Sequence, residues 1–202
     1  MKILITGGAG FIGSHTLLCL LERGYHVIIL DSFCNSSPKS IDGVLKICEI
    51  IGIDAKNKVE LIDGDIRDKK LLNNIFLDSK NNGFPIFGVI HFAGLKSVKK
   101  SIENPILYWD VNVSGTINLL NVMSQQNCKN IVFSSSATIY GNPNNFINED
   151  HLICPINPYG STKFVVETFL ADKFKSDSSN WRIANLRYFN PIGAHKSGLI
   201  GE

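Results

Sequence analysis

The sequence lacks closely spaced cysteines, long apolar runs and an excess of charge of one sign. Without any Cys-x-x-Cys pair, its five scattered cysteines argue against a disulfide framework and against a structural zinc site. The longest apolar run, at residues 17–21, is far shorter than the roughly 18 residues that a membrane span needs, so no membrane partner is expected. A net charge of +2 with mixed signs gives no reason to expect nucleic acid as a partner.

The cysteines and the first residues both bear on the cellular compartment. An odd number of dispersed cysteines fits a reducing environment. The opening MKILITGG passes directly into glycines and has no apolar region followed by a small-residue cleavage site, as a secretory signal would. We therefore expect a cytoplasmic protein.

Short apolar, β-rich runs alternate with longer stretches of helical periodicity. This alternation is typical of βαβ units, in which a parallel sheet is covered by helices on both faces. Because crossover connections are right-handed, the pattern predicts an α/β fold with a doubly wound, Rossmann-like parallel sheet. The predicted strands are 2–6, 26–30, 58–62, 87–92, 130–135 and 182–188, and the predicted helices are about 12–23, 39–51, 68–80, 105–127 and 158–176.

The chain after the last predicted strand is polar and contains glycines, with no helical stretch to cover the sheet. We therefore expect an incomplete polypeptide or an N-terminal fragment, from which most of a C-terminal domain is absent. On this view residues 1–190 form one domain, and residues 191–202 begin a second portion. The same reasoning predicts exposed apolar surface where the missing part would pack.

The segment ITGGAGFIG, residues 5–13, follows the first predicted strand and opens the first predicted helix. Its glycines, Gly7, Gly10 and Gly13, have the spacing G-x-x-G-x-x-G. Such a turn lets bare backbone approach a pyrophosphate, whose charge then lies against the N–H groups of a helix that begins near Phe11. The alternative is a tight strand-to-helix turn that binds no ligand. The position of the glycines after the first strand of a βαβ unit favours a dinucleotide site.

Asp31 ends the second predicted strand. A carboxylate there can accept hydrogen bonds from both hydroxyls of an adenosine ribose. Because a phosphate on the 2′-hydroxyl would meet like charge, we predict NAD as the cofactor and not NADP. The alternative role for Asp31 is to cap the following turn. After the third strand, GDIRD offers Asp65 near the adenine edge and Asp68 as the N-cap of the next helix.

The carboxyl ends of strands four to six should line the crevice where a nicotinamide lies. Strand four is followed by Lys96, which can reach ribose or phosphate, and strand five ends in three serines, of which Ser136 is the outermost. YGSTK then opens the next helix and places Tyr159 and Lys163 on one helix face.

These side chains suit base catalysis. A free tyrosine titrates near ~10, so Lys163 and a positive nicotinamide would have to lower the pKa of Tyr159 for it to accept a proton. Ser136 can hydrogen-bond the reacting hydroxyl and share in the proton transfer. The alternatives are an exposed helix face for the Tyr159 and Lys163 pair and a strand-end turn for Ser136.

His91 and His195 are two further titratable candidates. Neither has a partner set at the spacing of metal ligands or of a catalytic triad. We therefore expect packed or exposed histidines and no metal site.

Eight motifs closely resemble, in order and spacing, the UDP-glucose 4-epimerases of the extended short-chain dehydrogenase/reductase superfamily. They extend from residue 2 to about 195 and read TGGAGFIGSHT, VIILDSFCNSS, GDIRD, VIHFAGLKSV, NVSGTINLL, FSSSATIYG, PYGSTKFVVE and LRYFNPIGAH. The resemblance implies NAD-dependent interconversion of UDP-glucose and UDP-galactose. Tyr159 would take the proton from the sugar 4-hydroxyl while C4 gives hydride to NAD. The resulting 4-keto sugar would turn over in the site and take hydride back on its other face.

The resemblance also implies roles for individual residues. It implies a catalytic trio of Tyr159, Lys163 and Ser136, and substrate contacts from Ser136, Tyr159 and Asn190. The residues implied to bind the cofactor are Gly7, Gly10, Phe11, Ile12, Gly13, Asp31, Asn35, Ser36, Asp65, Ile66, Phe92, Ala93, Gly94, Leu95, Lys96, Asn112, Tyr159, Lys163 and Phe189.

Family members hold the uridine nucleotide in a smaller C-terminal domain, before which this chain stops. The chain alone is therefore expected to bind NAD but to turn over a UDP-hexose poorly or not at all. A homodimer through the helices near 105–127 and 158–176 is also implied.

Three alternatives stay open: a nucleotide-sugar dehydratase, another sugar-nucleotide epimerase, and a catalytically silent NAD-binding fragment. Related dehydratases often have an acidic pair after the hydroxyl residue of strand five. Ala137 and Thr138 stand at that place, which disfavours dehydration.

Overall fold

Six parallel strands form one sheet in the computed structural model, which describes residues 1–143 and 146–201. The order across the sheet is β3-β2-β1-β4-β5-β6, so the chain runs outward from β1 on one side and then crosses to β4 on the other. This confirms the predicted α/β, doubly wound, Rossmann-like fold. The strands are β1 (Lys2–Thr6), β2 (His26–Asp31), β3 (Val59–Asp63), β4 (Ile86–His91), β5 (Asn130–Ser136) and β6 (Arg182–Tyr188).

Helices connect the strands and cover both faces of the sheet. A π-helical turn (Trp109–Ser114) joins two of them, and a 3₁₀ turn (Ala137–Tyr140) follows β5. Within the described ranges the α-helices are α1 (Phe11–Glu22), α2 (Lys39–Ile50), α3 (Lys69–Asn81), α4 (Val98–Glu103), α5 (Pro105–Tyr108), α6 (Gly115–Gln125) and α7 (Pro158–Ser176).

The sheet separates two apolar cores, because successive side chains along a strand point to opposite faces. Leu4 and Ile28 pack in the core that α3, α6 and α7 cover. Their strand neighbours Ile5 and Ile29 pack in the core that α1 and α2 cover. Burial on both faces explains why β1 and β2 read as nearly continuous apolar runs. Full burial of one such aliphatic side chain contributes about 2 kcal/mol.

The stretch predicted as a helix over about 105–127 is helical without a break from Pro105 to Gln125, but its middle is π-helical and not α-helical. That stretch consists of α5, the π-helical turn and α6. The buried side chain of Asn112, within the π-helical turn, binds groups on two other parts of the chain, and apolar periodicity does not encode such contacts. The other predicted helices and all six predicted strands are confirmed with ends that agree within one residue.

Two short elements were not predicted, α4 and the 3₁₀ turn. Each begins at a serine whose hydroxyl caps it: Ser97 accepts from Lys100 N, and Ser136 accepts from Thr138 N. Both elements follow a strand that ends at the same edge of the sheet. They therefore shape the loops at that edge.

The segment after β6 turns back toward the first helices. His195 N donates to His15 Nε2 at 3.1 Å, and Ile200 is buried in the core under α1 and α2. Phe189 and Ile192 are exposed. The domain division after residue 190 stays a prediction, and Glu202 lies outside the described residues. No helix in the described ranges combines the length and apolar character that a membrane span requires.

Candidate active site

A cleft of about 1460 Å³ runs along the carboxyl ends of the strands, across the switch point between β1 and β4. All but one of the predicted site residues line it. They are Gly7, Gly10, Phe11, Ile12, Gly13, Asp31, Asn35, Ser36, Asp65, Ile66, Phe92, Ala93, Gly94, Leu95, Lys96, Ser136, Tyr159, Lys163, Phe189 and Asn190. One cleft therefore brings together residues from the loops after all six strands.

The turn between β1 and α1 lies against the loop after β4. Gly7 has a φ of +70°, and a Cβ on it would lie 2.5 Å from Ala93 N. A Cβ on Gly13 would lie 2.5 Å from Gly7 O. Gly10 precedes α1 and offers no capping side chain. The first N–H groups of a helix have no partner within it, so this end of α1, beginning at Phe11, suits an anion such as a pyrophosphate.

Asp31 caps the turn after β2, the structural role that the sequence analysis set against ribose binding. Its Oδ2 accepts from Ala9 N at 2.9 Å, and its Oδ1 accepts from Phe33 N at 3.0 Å and from Ser36 Oγ at 2.8 Å. These bonds hold Phe33 in a left-handed conformation with a φ of 51°. A carboxylate has about four lone-pair sites, so Oδ2 can still accept from a ribose hydroxyl.

Arg67 is a cleft residue that the sequence analysis missed. It forms ion pairs of 2.7 Å with Asp65 and of 2.7 Å with Asp110, and so joins the loop after β3 to the π-helical turn. Hydrogen bonding from Arg67 lowers the pKa of Asp65. Asp68 caps α3 by accepting from Leu71 N at 2.9 Å, as predicted. The GDIRD motif shows the arginine beside Asp65, but not its distant partner.

Asn112 is not among the residues that line the cleft but holds the loop that does, and its implied contact with the cofactor stays a prediction. Its Oδ1 accepts from Leu95 N at 2.8 Å, and its Nδ2 donates to Leu95 O at 3.1 Å and to Thr162 Oγ1 at 3.1 Å. The amide thus satisfies the backbone of a loop that itself forms the wall. Since Thr162 is next to Lys163, Asn112 also connects this loop to the helix that carries the lysine.

Helix α7 begins just before the tyrosine. Asn157 caps it by accepting from Gly160 N at 2.8 Å, and Pro158 occupies the first turn. The ammonium of Lys163 lies 5.9 Å from the centre of the Tyr159 ring. Lys163 is only 5% exposed, which excludes the solvated helix face as its setting.

Burial acts on both titratable groups of α7. It lowers the pKa of Lys163 to about 8. It also raises the pKa of Tyr159, while the side chain of Ser136 favours the phenolate. Lys163 directs its ammonium to Ser134 O at 2.7 Å. The prediction that Lys163 and a nicotinamide lower the pKa of Tyr159 applies to the chain with NAD bound, and it stays a prediction.

Ser136 is the last residue of β5 and caps the 3₁₀ turn, so it has the structural role of a strand-end turn residue, which was the alternative to a catalytic role. Its Oγ accepts from Thr138 N at 3.2 Å and lies 2.8 Å from Thr138 Oγ1. The serine also lines the cleft together with Tyr159. Thr138 also lines the cleft and is paired with Ser136, and it was not among the predicted site residues.

His91 is packed, as expected, with its Nδ1 2.6 Å from Thr6 Oγ1 and its Nε2 2.8 Å from Thr116 Oγ1. The Thr116 hydroxyl donates to Asn112 O, so Nε2 donates to the threonine and Nδ1 accepts from Thr6. Burial lowers the pKa of His91 to about 3, and the ring is neutral. His195 is partly exposed, also as expected. The described residues contain no group of side chains suited to hold a metal ion.

Comparison with known proteins decides the family. The family described as GDP-mannose 4,6 dehydratase matches residues 4–202. The chain belongs to this family. This family member is 48% identical over 202 residues to UDP-glucose 4-epimerase 2 of Arabidopsis thaliana. The matched region covers 100% of this chain and 55% of that relative. The resemblance to the N-terminal part of UDP-glucose 4-epimerases is confirmed.

Solved structures give the same grouping for this family member. It is similar to a UDP-glucose 4-epimerase from Bifidobacterium longum in complex with NAD⁺ and UDP, with a TM-score of 0.89, 46% identity, and coverage of 100% of this chain and 57% of that one. It is also similar to a UDP-glucose 4-epimerase from Stenotrophomonas maltophila with bound NAD and formylated UDP-arabinopyranose, with a TM-score of 0.89, 42% identity, and coverage of 100% and 56%. The chain spans about half the length of the relatives it matches.

Proposed function

We propose that this chain binds NAD and supplies the catalytic base of a UDP-glucose 4-epimerase, which interconverts UDP-glucose and UDP-galactose. The observation that carries the proposal is the meeting of Tyr159, Lys163 and Ser136 in the same cleft as an uncapped helix end preceded by Gly7 and Gly10. The names of the similar proteins support it. Because the chain spans about half of their length, its activity and its substrate both belong to the proposal.

The residues of the cleft fit NAD. The uncapped end of α1 would hold the pyrophosphate, and the remaining lone pairs of Asp31 would accept from the adenosine ribose. A 2′-phosphate would be placed against the buried carboxylate of Asp31, so NADP should bind more weakly. NAD, when bound, supplies the hydride acceptor and donor for C4 of the hexose.

In this proposal Tyr159 takes and returns the proton of the sugar 4-hydroxyl. Burial raises the pKa of Tyr159, which opposes this role. Ser136 and a cationic Lys163, one helical turn along, would favour the phenolate. Lys163 is itself buried, so its charge is screened less by water than that of an exposed lysine would be.

The family description raises dehydration of a nucleotide sugar as a second candidate. Loss of the 6-hydroxyl needs an acid and a base beyond the group that acts at C4. The two residues after Ser136 are Ala137 and Thr138, neither of which titrates near neutral pH. The hydroxyl of Thr138 is already paired with Ser136 at 2.8 Å. We therefore favour epimerisation over dehydration.

A dimer surface belongs to the proposal as well. Large apolar side chains are exposed on the stretch from α5 through the π-helical turn, at Ile106 and Trp109, and on α7, at Phe169. Exposed apolar groups on neighbouring helices suit a contact between two copies of the chain. Sedimentation should therefore show a dimer that Ile106→Glu or Phe169→Glu disrupts. Ile50→Glu, at an exposed position of α2, is the matched control and should leave the dimer intact.

The function is tested on the chain itself by two separate measurements, NAD binding by calorimetry and chromatographic separation of UDP-galactose from its products. We expect NAD to bind and UDP-glucose to form, slowly in a chain of this length. A 4-keto-6-deoxy product would instead indicate dehydration. NAD binding with no product would leave a catalytically silent cofactor-binding chain, and the absence of NAD binding would contradict the proposal.

A further inference from the structure

Arg187, on β6, joins four segments of the chain, and the proposed mechanism does not use it. Its Nε donates to Glu167 Oε1 at 3.1 Å, and its Nη2 donates to Glu167 Oε2 at 2.7 Å. Its Nη1 donates to Tyr140 Oη at 2.5 Å and to Glu149 O at 3.1 Å. The side chain of Glu167 is 7% exposed and that of Arg187 is 22% exposed, so water screens the pair weakly.

Two of the partners of Arg187, Glu167 and Tyr140, belong to segments that carry the proposed catalytic side chains. Glu167 follows Lys163 by one turn of α7, so the two side chains share a helix face. Tyr140 ends the 3₁₀ turn that begins directly after Ser136. The guanidinium thus bridges the helix that carries the phenol and the ammonium to the turn that carries the hydroxyl.

The strand of Arg187 also leads directly into the cleft. In the β5–β6 register, the residue after Arg187 lies opposite Ser136. The next two residues, Phe189 and Asn190, line the cleft where nicotinamide and substrate are proposed to bind. Arg187 therefore lies two and three residues along the chain from these cleft residues.

We propose that Arg187 is a positioning residue that sets the separation between Ser136 and Tyr159 by clamping Glu167 of α7 to Tyr140 of the turn after β5. The guanidinium is planar and offers its donors in a fixed fork, so it can bind the carboxylate through two bonds and the phenol through a third. A lysine has the same charge but no such fork. The inference rests on the proposed function, because positioning acts on the Tyr159 base.

The alternative is a buried ion pair that only stabilises the fold. Breaking such a pair destabilises a protein, but replacing both partners by apolar residues of similar volume is often neutral. A purely structural pair would therefore be replaceable without loss of activity. A positioning pair would not be, because apolar side chains do not bind the Tyr140 hydroxyl.

The experiment uses the full chain and the variants Arg187→Lys, Glu167→Gln, Tyr140→Phe and the double variant Arg187→Met with Glu167→Leu. The matched control is Lys175→Met, which breaks an exposed pair with Asp172 on the same helix, 3.6 Å long. We expect Arg187→Lys to lower kcat roughly 10- to 100-fold with KM for UDP-galactose nearly unchanged. The double variant should fold and remain as slow, and the control should change neither constant.

A double-mutant cycle shows whether Arg187 acts through Ser136. Ser136→Ala and Arg187→Lys should have strongly non-additive effects on kcat, since both remove the same alignment. Additive effects, or a double apolar variant with the kcat of the parent chain, would overturn the proposal. Tyr140→Phe tests the clamp through one hydroxyl if the charged variants do not fold.

A second readout separates this inference from the proposed function. The titration of Tyr159, followed by nuclear magnetic resonance of labelled tyrosines and assigned with Tyr159→Phe, needs no turnover. Ser136→Ala should raise the pKa of Tyr159, because it removes a group that favours the phenolate. In the Arg187→Lys background that rise should largely vanish. A rise of the same size in both backgrounds would overturn the positioning role, whether or not the chain converts UDP-galactose.

Discussion

The ammonium of Lys163 donates a hydrogen bond of 2.7 Å to the main-chain oxygen of Ser134 and lies 4.9 Å from the centre of the Phe133 ring. These contacts join α7 to the end of β5, where the tyrosine and the serine of the proposed site also lie. Burial penalises the charged form and lowers the pKa of Lys163 to about 8. The lysine therefore changes charge close to neutral pH.

We predict that the free energy of unfolding rises with pH because of Lys163. Its pKa is about 8 in the folded chain and 10.5 in the absence of burial. Between these values the unfolded chain binds more protons than the folded chain, so raising the pH favours folding. The gain reaches at most about 3 kcal/mol. Urea unfolding at a series of pH values across this range measures it.

Two variants isolate the contribution of that lysine. Lys163→Met should lose the rise in unfolding free energy, while Lys99→Met, at an exposed position of α4, should keep it. The three proteins are compared in a Tyr159→Phe background, because Lys163 is also proposed to affect the ionisation of Tyr159. Equal pH slopes for the parent chain and Lys163→Met would contradict the prediction.

We predict that Asp31 selects NAD over NADP. The parent chain should bind NADP at least about tenfold more weakly, since a 2′-phosphate would approach a buried carboxylate. Asp31→Asn removes the charge and keeps one acceptor oxygen, which can serve either Ala9 N or the Phe33 and Ser36 donors, but not both sets. It should weaken NAD binding and narrow the difference between the cofactors, as calorimetry would show. Asp42→Asn, on the exposed first turn of α2, changes the net charge equally and should change neither affinity.

We predict that Gly7 is needed for close packing as well as for its backbone conformation. Gly7→Ala places a Cβ 2.5 Å from Ala93 N at a φ of +70°. Gly24 has a φ of +77° with no atom near its Cβ position, so Gly24→Ala carries only the conformational cost of about 1 kcal/mol. Urea unfolding should show that Gly7→Ala loses at least about twice as much free energy of unfolding as Gly24→Ala. Only Gly7→Ala should also bind NAD more weakly. Equal losses of unfolding free energy in the two variants would contradict the prediction, because they would mean that the loop after β4 moves away from the added Cβ.

Elements with local signals were predictable from the sequence. The limits of α7 follow from Asn157 as a cap and Pro158 in the first turn, and β1 follows from a short β-rich run before glycines. The cleft followed from topology, because the carboxyl ends of parallel strands meet at one edge of the sheet. Most of the predicted site residues line it for that reason.

Contacts between distant parts of the chain were not predictable. The amide of Asn112 binds Leu95 and Thr162, and Arg187 binds Glu167. No local periodicity encodes such pairs. The π-helical turn was missed for a related reason, since its apolar pattern differs little from that of an α-helix.

The direction of the Tyr159 pKa shift also depends on the fold. The sequence places Lys163 one turn away and predicts a lowered pKa of Tyr159 when a nicotinamide is also bound. In the chain without a cofactor, burial raises that pKa, and the lysine turns its ammonium to a main-chain oxygen. Burial of a phenol depends on every element packed around it, so the spacing of two residues does not determine it.

The most direct test of the account compares conversion of UDP-galactose by the parent chain and by Tyr159→Phe, with NAD present and the reduced-nicotinamide absorbance recorded in parallel. We expect UDP-glucose to form, the variant to be slower by about 100-fold or more while it still binds NAD, and reduced nicotinamide not to accumulate. Equal rates for the two proteins, or steady accumulation of reduced nicotinamide with an oxidised sugar, would contradict it.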